Sequence, residues 1–188
     1  MEISRSEAIK ILDDLVKNRN LTKHMYCVEA TMRFYAKLFN TDEEKWAIAG
    51  LLHDADWEAY PEEHPAKIVE ILISMNAEED IIQAIASHGN NSEKYGNRFQ
   101  ERKTLLDKTL FACDELSGFV VAVALVRPGR LTDLNPKSFI KKLKDKSFAA
   151  QVSREDIYQG AEEIGIELKE HIANVISAIK TIEAEIFD

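Results

Sequence analysis

Apolar residues along the chain recur at spacings of three and four, the period of a helix face, and not at the spacing of two that marks a half-buried strand. Ile9, Leu12, Leu15 and Val16 form a first stripe in a segment that Ser6 is placed to cap. Thr22 opens a second stripe running through Met25, Val28, Met32, Tyr35 and Leu38. Thr41-Asp-Glu-Glu puts Glu44 three residues after Thr41, the pattern of a capping box, and the helix behind it carries Trp46, Ile48, Leu51 and Leu52 toward His53. Pro65, after His64, suits a first helical position. A further helix spans about Glu78 to Ser87 and ends at His88-Gly89, with the glycine as C-cap.

Residues 89–99 are polar and contain glycine, so they read as a loop. A long helix is predicted over Thr104 to Val126. Its Phe119–Val126 portion resembles a buried strand in composition, but no partner strand is visible elsewhere, and a helix is expected. Leu168, Ile172, Val175, Ile176, Ile179, Ile182 and Ile186 predict one closing amphipathic helix. The pattern predicts an all-α protein, a single domain over 1–188 with no repeat and no low-complexity tract.

Composition changes this picture little. The 188 residues suit one globular core, and seven glycines with four prolines are few for an all-β chain. A net charge of −9 argues against nonspecific nucleic-acid binding. The charge is segregated, however. Residues 127–146 hold seven Lys/Arg against two Asp, so the rest of the chain is markedly more acidic than the total suggests. Cys27 and Cys113 form neither a CxxC pair nor a disulfide framework and read as buried free thiols. The N-terminus has no signal-peptide pattern, and the longest uncharged run, Leu116 to Val126, is too short for a membrane span. The expectation is a cytoplasmic protein.

Candidate chemistry lies in His24, His53-Asp54, His64, His88 and Asp114. Four of the five histidines fall within one 65-residue stretch. Imidazole nitrogens with carboxylate oxygens suit first-row ions: Fe, Mn, Co, Ni or Zn. Adjacent His53 and Asp54 lie 100° apart on a helix and can reach one ion. Each residue also has an ordinary alternative. His24 can be a surface or satisfied core histidine, His64 a helix-entry residue, and His88 a C-terminal histidine favoured by the helix dipole. Asp114, on what looks like the buried side of an apolar helix, must be paired, hydrogen-bonded or metal-bound. His171 has no such company and is expected at the surface.

The order His24, His53-Asp54, Asp114, with the local texts Ala49-Gly-Leu-Leu-His-Asp-Ala-Asp and Phe111-Ala-Cys-Asp-Glu-Leu-Ser-Gly, resembles the HD-domain superfamily of metal-dependent phosphohydrolases. The resemblance is strongest over 20–125, with 126–188 a helical extension expected to pack on the same core. It implies one metal held by His24, His53, Asp54 and Asp114. His64 and His88 would build a second site, as in two-metal members, with Asp54 bridging. The double histidine and the glycine-tyrosine-proline signature of the cyclic-dinucleotide phosphodiesterases are missing, which disfavours that subgroup.

The implied function is hydrolysis of a small phosphoester, a nucleotide among the candidates, by a metal-activated water. Asp54 and Asp56 are the expected catalytic carboxylates. Asp56, or Glu58 beside it, would orient ligands or carry protons, although Glu58 fits a solvated acidic loop as well. Phosphate needs cations. Arg127 and Arg130, flanking Pro128-Gly129, are placed to reach back over the site, and Lys67 follows His64 by one turn. The pocket wall is expected from loops 89–99 and 127–136. A di-iron oxygenase of HD-like type shares the same ligand order, and a metal- or nucleotide-binding regulatory module is the non-catalytic reading; the complete ligand set argues against the latter. No membrane partner is expected, and a homodimer is left open.

Overall fold

The computed structural model describes residues 2–90 and 98–187. Their helices in chain order are α1 (Arg5–Leu15), α2 (Arg19–Leu38), α3 (Glu43–Leu52), α4 (Ala66–Ser74), α5 (Glu79–Ala86), α6 (Leu105–Leu125), α7 (Pro136–Leu143), α8 (Arg154–Glu163), α9 (Leu168–Lys180) and α10 (Glu183–Phe187). No strand occurs among the described residues, and the protein is all-α as the periodicity predicts.

α6 lies at the centre, packed by α2, α3, α5, α7, α8 and α9. Leu110, Leu116, Phe119, Val120 and Val123 are fully buried. That surrounding explains the strand-like run at 119–126. A helix covered on most sides needs apolar residues on most sides, so its sequence loses the amphipathic period and looks like a buried strand. Thr104 caps α6 through a capping box with Asp107, while Val126 is its C-cap.

α2 is the second organiser, against α3, α6 and α9. Its crossing with α3 depends on Gly50: a Cβ there would lie 2.9 Å from the Val28 carbonyl oxygen and 3.0 Å from the Glu29 nitrogen. Only a missing side chain lets the two backbones come this close. The C-terminal helices join the same hydrophobic cluster, which runs from Ile3 to Ile186.

Several helix ends differ from the expected ones. Ser4, not Ser6, caps α1, with Glu7 completing the box. Asn18 caps α2, which therefore begins before Thr22. Asp42 caps α3 by accepting from Lys45 N–H, so the Thr41–Glu44 box does not form, and Glu44 pairs with Arg33 instead. Pro65 is the N-cap of α4, outside the helix proper. Ser87 is the C-cap of α5. Gly89 serves a different purpose from capping: a Cβ on it would sit 2.5 Å from the Phe99 ring. The closing helix is broken at Thr181 into α9 and α10. α7 and α8, within the basic and mixed-charge C-terminal region, are additional to the stripes read from sequence.

His171 is fully buried, contrary to its expected place on the surface. It joins three helices. Tyr35 O–H on α2 donates to His171 Nδ1 at 2.5 Å, and His171 Nε2–H donates to the Ala112 carbonyl on α6 at 2.9 Å. Accepting from Tyr35 at Nδ1 needs a neutral ring, and burial pulls its pKa down to about 4. Cys27 and Cys113 are buried free thiols, with burial pushing Cys27 up to about 12. No helix of the described residues is long and apolar enough to cross a membrane.

Candidate metal centre

The helix framework brings the six ligand candidates together from five places. His24 is in the body of α2, His53 is the C-cap of α3, and Asp54 follows it. His64 precedes α4, His88 follows α5, and Asp114 is in the middle of α6. Ligand atoms of His24, His53, Asp54 and Asp114 all lie within 4.8 Å of one another, and so do those of Asp54, His64 and His88. Asp54 belongs to both groups, with one oxygen for each. Its Oδ2 is 4.0 Å from His24 Nε2 and 3.6 Å from His53 Nε2. Its Oδ1 is 3.5 Å from His64 Nε2 and 3.4 Å from His88 Nε2.

The ring orientations decide what fits between these atoms. His53 Nδ1–H donates to the Gly50 carbonyl at 2.8 Å, and His88 Nδ1–H donates to the Ile85 carbonyl at 2.6 Å. A carbonyl only accepts, so in each ring Nδ1 holds the proton, and Nε2 presents a lone pair in the neutral form. His64 Nδ1–H donates to Asp56 Oδ1 at 2.7 Å, with the same result. Three lone pairs therefore face the carboxylates of Asp54 and Asp114, and the buried His53 Nε2 has no hydrogen-bond partner. Lone pairs facing carboxylates are repulsive until a cation lies between them. Imidazole nitrogens with shared carboxylate oxygens, oriented by second partners, form a donor set that fits divalent transition ions.

The electrostatics agree. Burial alone would lower the pKa of His53, but the carboxylates of Asp54 and Asp114 outweigh it and raise it to about 9. Burial works against ionisation of Asp54 and Asp114 too, yet the facing imidazoles hold both well below the ordinary carboxylate range. The centre thus draws in positive charge, as a proton or as a metal ion.

Asp56 is fully buried and does not line the cavity. Its Oδ1 accepts from His64 and its Oδ2 accepts from Ile68 N–H at 2.9 Å, so it holds a ring in place and touches nothing in the cavity. Glu58 lies elsewhere, accepting from the Lys17 and Asn18 N–H groups between α1 and α2.

A cavity of about 320 Å³ opens above the two groups. Its walls include Trp57, Phe99 and Phe111, which are apolar, and Asn90, Glu115, Gln151 and Asp156, which are polar. Burial, reinforced by the Asp114 charge, pushes Glu115 up to about 8. Asn90 and Phe99 belong to the loop 89–99 expected to form the wall; the other five were not proposed as wall residues from sequence. Glu115 and Trp57 carried a signal, being next to ligand candidates in the chain or two residues past one. Gln151 and Asp156 carried none, since only the packing of α8 on α6 brings them here.

The expected cations are elsewhere. Lys67 pairs with Glu70 at 2.7 Å on the exposed side of α4. Arg127 turns onto its own loop, donating to the Asp133 carbonyl at 2.8 Å. Among the described residues no Lys or Arg lines this cavity, and loop 127–136 contributes nothing to its wall. Of loop 89–99, Gly89, Asn90 and Phe99 line it, while 91–97 lie outside the described residues. Arg130 lines a second cavity.

A family model described as HD domain matches residues 21–118, just over half of the chain, from before His24 to beyond Asp114. Comparison with curated proteins and with solved structures gives no match.

Proposed function

The chain belongs to the HD-domain family, and from that premise we propose that it is a metal-dependent phosphohydrolase acting on a small phosphoester, with nucleotides in its substrate class. The observation that carries this reading is Asp54, whose two oxygens each face a separate group of imidazole nitrogens on the floor of one cavity. His24, His53, Asp54 and Asp114 would hold one ion, and Asp54, His64 and His88 a second. When bound, such ions supply positive charge for phosphoryl oxygens and a water of lowered pKa.

The remaining work belongs to the chain itself. Asp56 fixes the tautomer and the plane of His64. Trp57, Phe99 and Phe111 give the cavity an apolar wall against which the organic part of a substrate would pack. Glu115 Oε2 accepts from Ser153 N–H at 3.3 Å, which leaves Oε1 to hold the proton that its raised pKa retains at neutral pH. That proton is available to the leaving oxygen.

Elemental analysis of the purified protein tests the reading, followed by a phosphate-release screen of monoesters, nucleotides and cyclic nucleotides with Mn, Co and Ni. Bound transition metal and release of phosphate are expected. Asp54→Ala is expected to abolish both metal and hydrolysis, and retention of full metal by that variant would overturn the ligand assignment. Mixed-valence iron with O₂-dependent turnover and no phosphate release would move the chain to the oxygenase reading.

A further inference from the structure

Beside the metal centre lies a second cavity of about 460 Å³. His24 and Gly118 line both cavities, so the two meet at one wall. A Cβ on Gly118 would find nothing within 4 Å except His24 Nδ1 at 3.8 Å and Cε1 at 3.9 Å. The imidazole edge is therefore bare at the junction, and Gly118 keeps the space in front of it open.

His24 differs from the other three clustered histidines in one respect. His53, His64 and His88 each anchor Nδ1 on a carbonyl or carboxylate. His24 Nδ1 has no such partner among the described residues, and its only hydrogen bond is from Nε2 to Asp114 Oδ1 at 3.0 Å. Once Nε2 is committed to an ion, the ring proton is on Nδ1, a donor directed over Gly118.

Two cations share that second cavity. Lys23 makes no ion pair among the described residues. Arg130 is held by one donor, Nη1 to the Phe187 carbonyl at 2.7 Å, with its guanidinium 4.7 Å over the Phe187 ring. Its backbone has φ +47°, a left-handed conformation that non-glycine residues seldom adopt without a reason. Among the described residues no acceptor faces the remaining Arg130 donors, Lys23 Nζ or His24 Nδ1; Asn20 is the other polar side chain of the lining, and Val121, Leu125 and Phe187 supply apolar surface.

We propose that the second cavity is a subsite for a second phosphate of the substrate, so that the substrate is an elongated phosphoester with an anion at each end. The reacting phosphate would sit over the metal centre, the linker would cross Gly118, and the distal phosphate would meet Lys23, Arg130 and His24 Nδ1–H. This rests on the phosphohydrolase reading of the centre.

Calorimetric binding to the metal-loaded full chain tests it, with alkyl monophosphonates and α,ω-alkane bisphosphonates of matched chain lengths as probes. At one chain length the bisphosphonate is expected to bind at least about tenfold tighter than its monophosphonate partner, or about 1.4 kcal/mol. Lys23→Ala/Arg130→Ala is expected to lose that gain while retaining its metal by elemental analysis. Gly118→Val, which places methyl groups before His24 Nδ1, is expected to lose it as well. Equal affinity of the two series at every length, or a gain that persists in the double variant, would overturn the proposal. Failure of the monophosphonates to bind the metal-loaded protein would overturn the reading of the centre itself, and the subsite with it.

Discussion

At the scale of single residues, His171 shows how burial sets a protonation state. Its ordinary pKa is 6.5, and in the folded chain burial lowers it to about 4. Between those values the unfolded chain binds a proton that the folded chain refuses, so stability is highest above pH 6.5 and falls as the pH drops toward 4. A gap of this size corresponds to about 3 kcal/mol. His171→Leu is expected to flatten that acid slope. It is also expected to cost about 2–4 kcal/mol at neutral pH, because it removes the acceptor of the buried Tyr35 hydroxyl proton and a donor to the Ala112 carbonyl. Denaturant unfolding at a series of pH values measures both, and an unchanged slope would show that other groups carry the acid sensitivity. Glu115 presents the opposite case, an acid that burial keeps protonated. Glu115→Gln is expected to retain metal and to lower kcat by about 10²-fold for alkyl phosphoesters. The loss should be much smaller for a nitrophenyl ester, whose leaving group needs no proton; equal losses for the two would remove Glu115 from proton delivery.

At the scale of elements, the α2–α3 crossing sets the distance between His24 and His53, and Gly50 sets the crossing. Its backbone carbonyl also receives His53 Nδ1–H, so one residue governs both helix separation and ring orientation. Gly50→Ala removes only a glycine's freedom inside a helix, a change that is stabilising where space allows. Here the added carbon meets backbone at about van der Waals overlap, and the expected result is a loss of about 1–3 kcal/mol. Metal affinity should fall at the same time; affinity equal to that of the parent chain would show that α3 relaxes without moving His53. Helix ends were the part of the elements least visible in the sequence. Ser4 and Ser6, or Thr41 and Asp42, are chemically equivalent caps one or two residues apart, and tertiary packing chooses between them.

At the scale of the whole molecule, two facing groups of carboxylates and imidazoles make the centre a place where negative charge accumulates in the folded state alone. Metal binding should therefore stabilise the fold. With free Mn, Co or Ni at about 100 times its dissociation constant, the gain is about 2.7 kcal/mol, read as a rise in the thermal midpoint that a chelator reverses. Asp54→Ala should lack this rise. A parent chain whose midpoint ignores both metal and chelator would contradict a folded-state metal site. The charge segregation visible in the sequence takes on a narrower meaning in three dimensions. Of the basic residues in 127–146, Arg130 reaches a cavity next to the centre, while Arg127 is spent on its own loop.

The helical class, the six clustered ligand candidates and the kinship with HD domains were all legible in the chain itself. Periodicity, residue chemistry and the order of a short motif are properties of local sequence. Packing alone decided three other matters: that His171 is a buried clamp, that Asp56 serves His64 and not the cavity, and that Gln151 and Asp156 line the same cavity as Asp114. Each depends on contacts between segments far apart in the chain, and no local pattern of side chains encodes which distant helix will cover them.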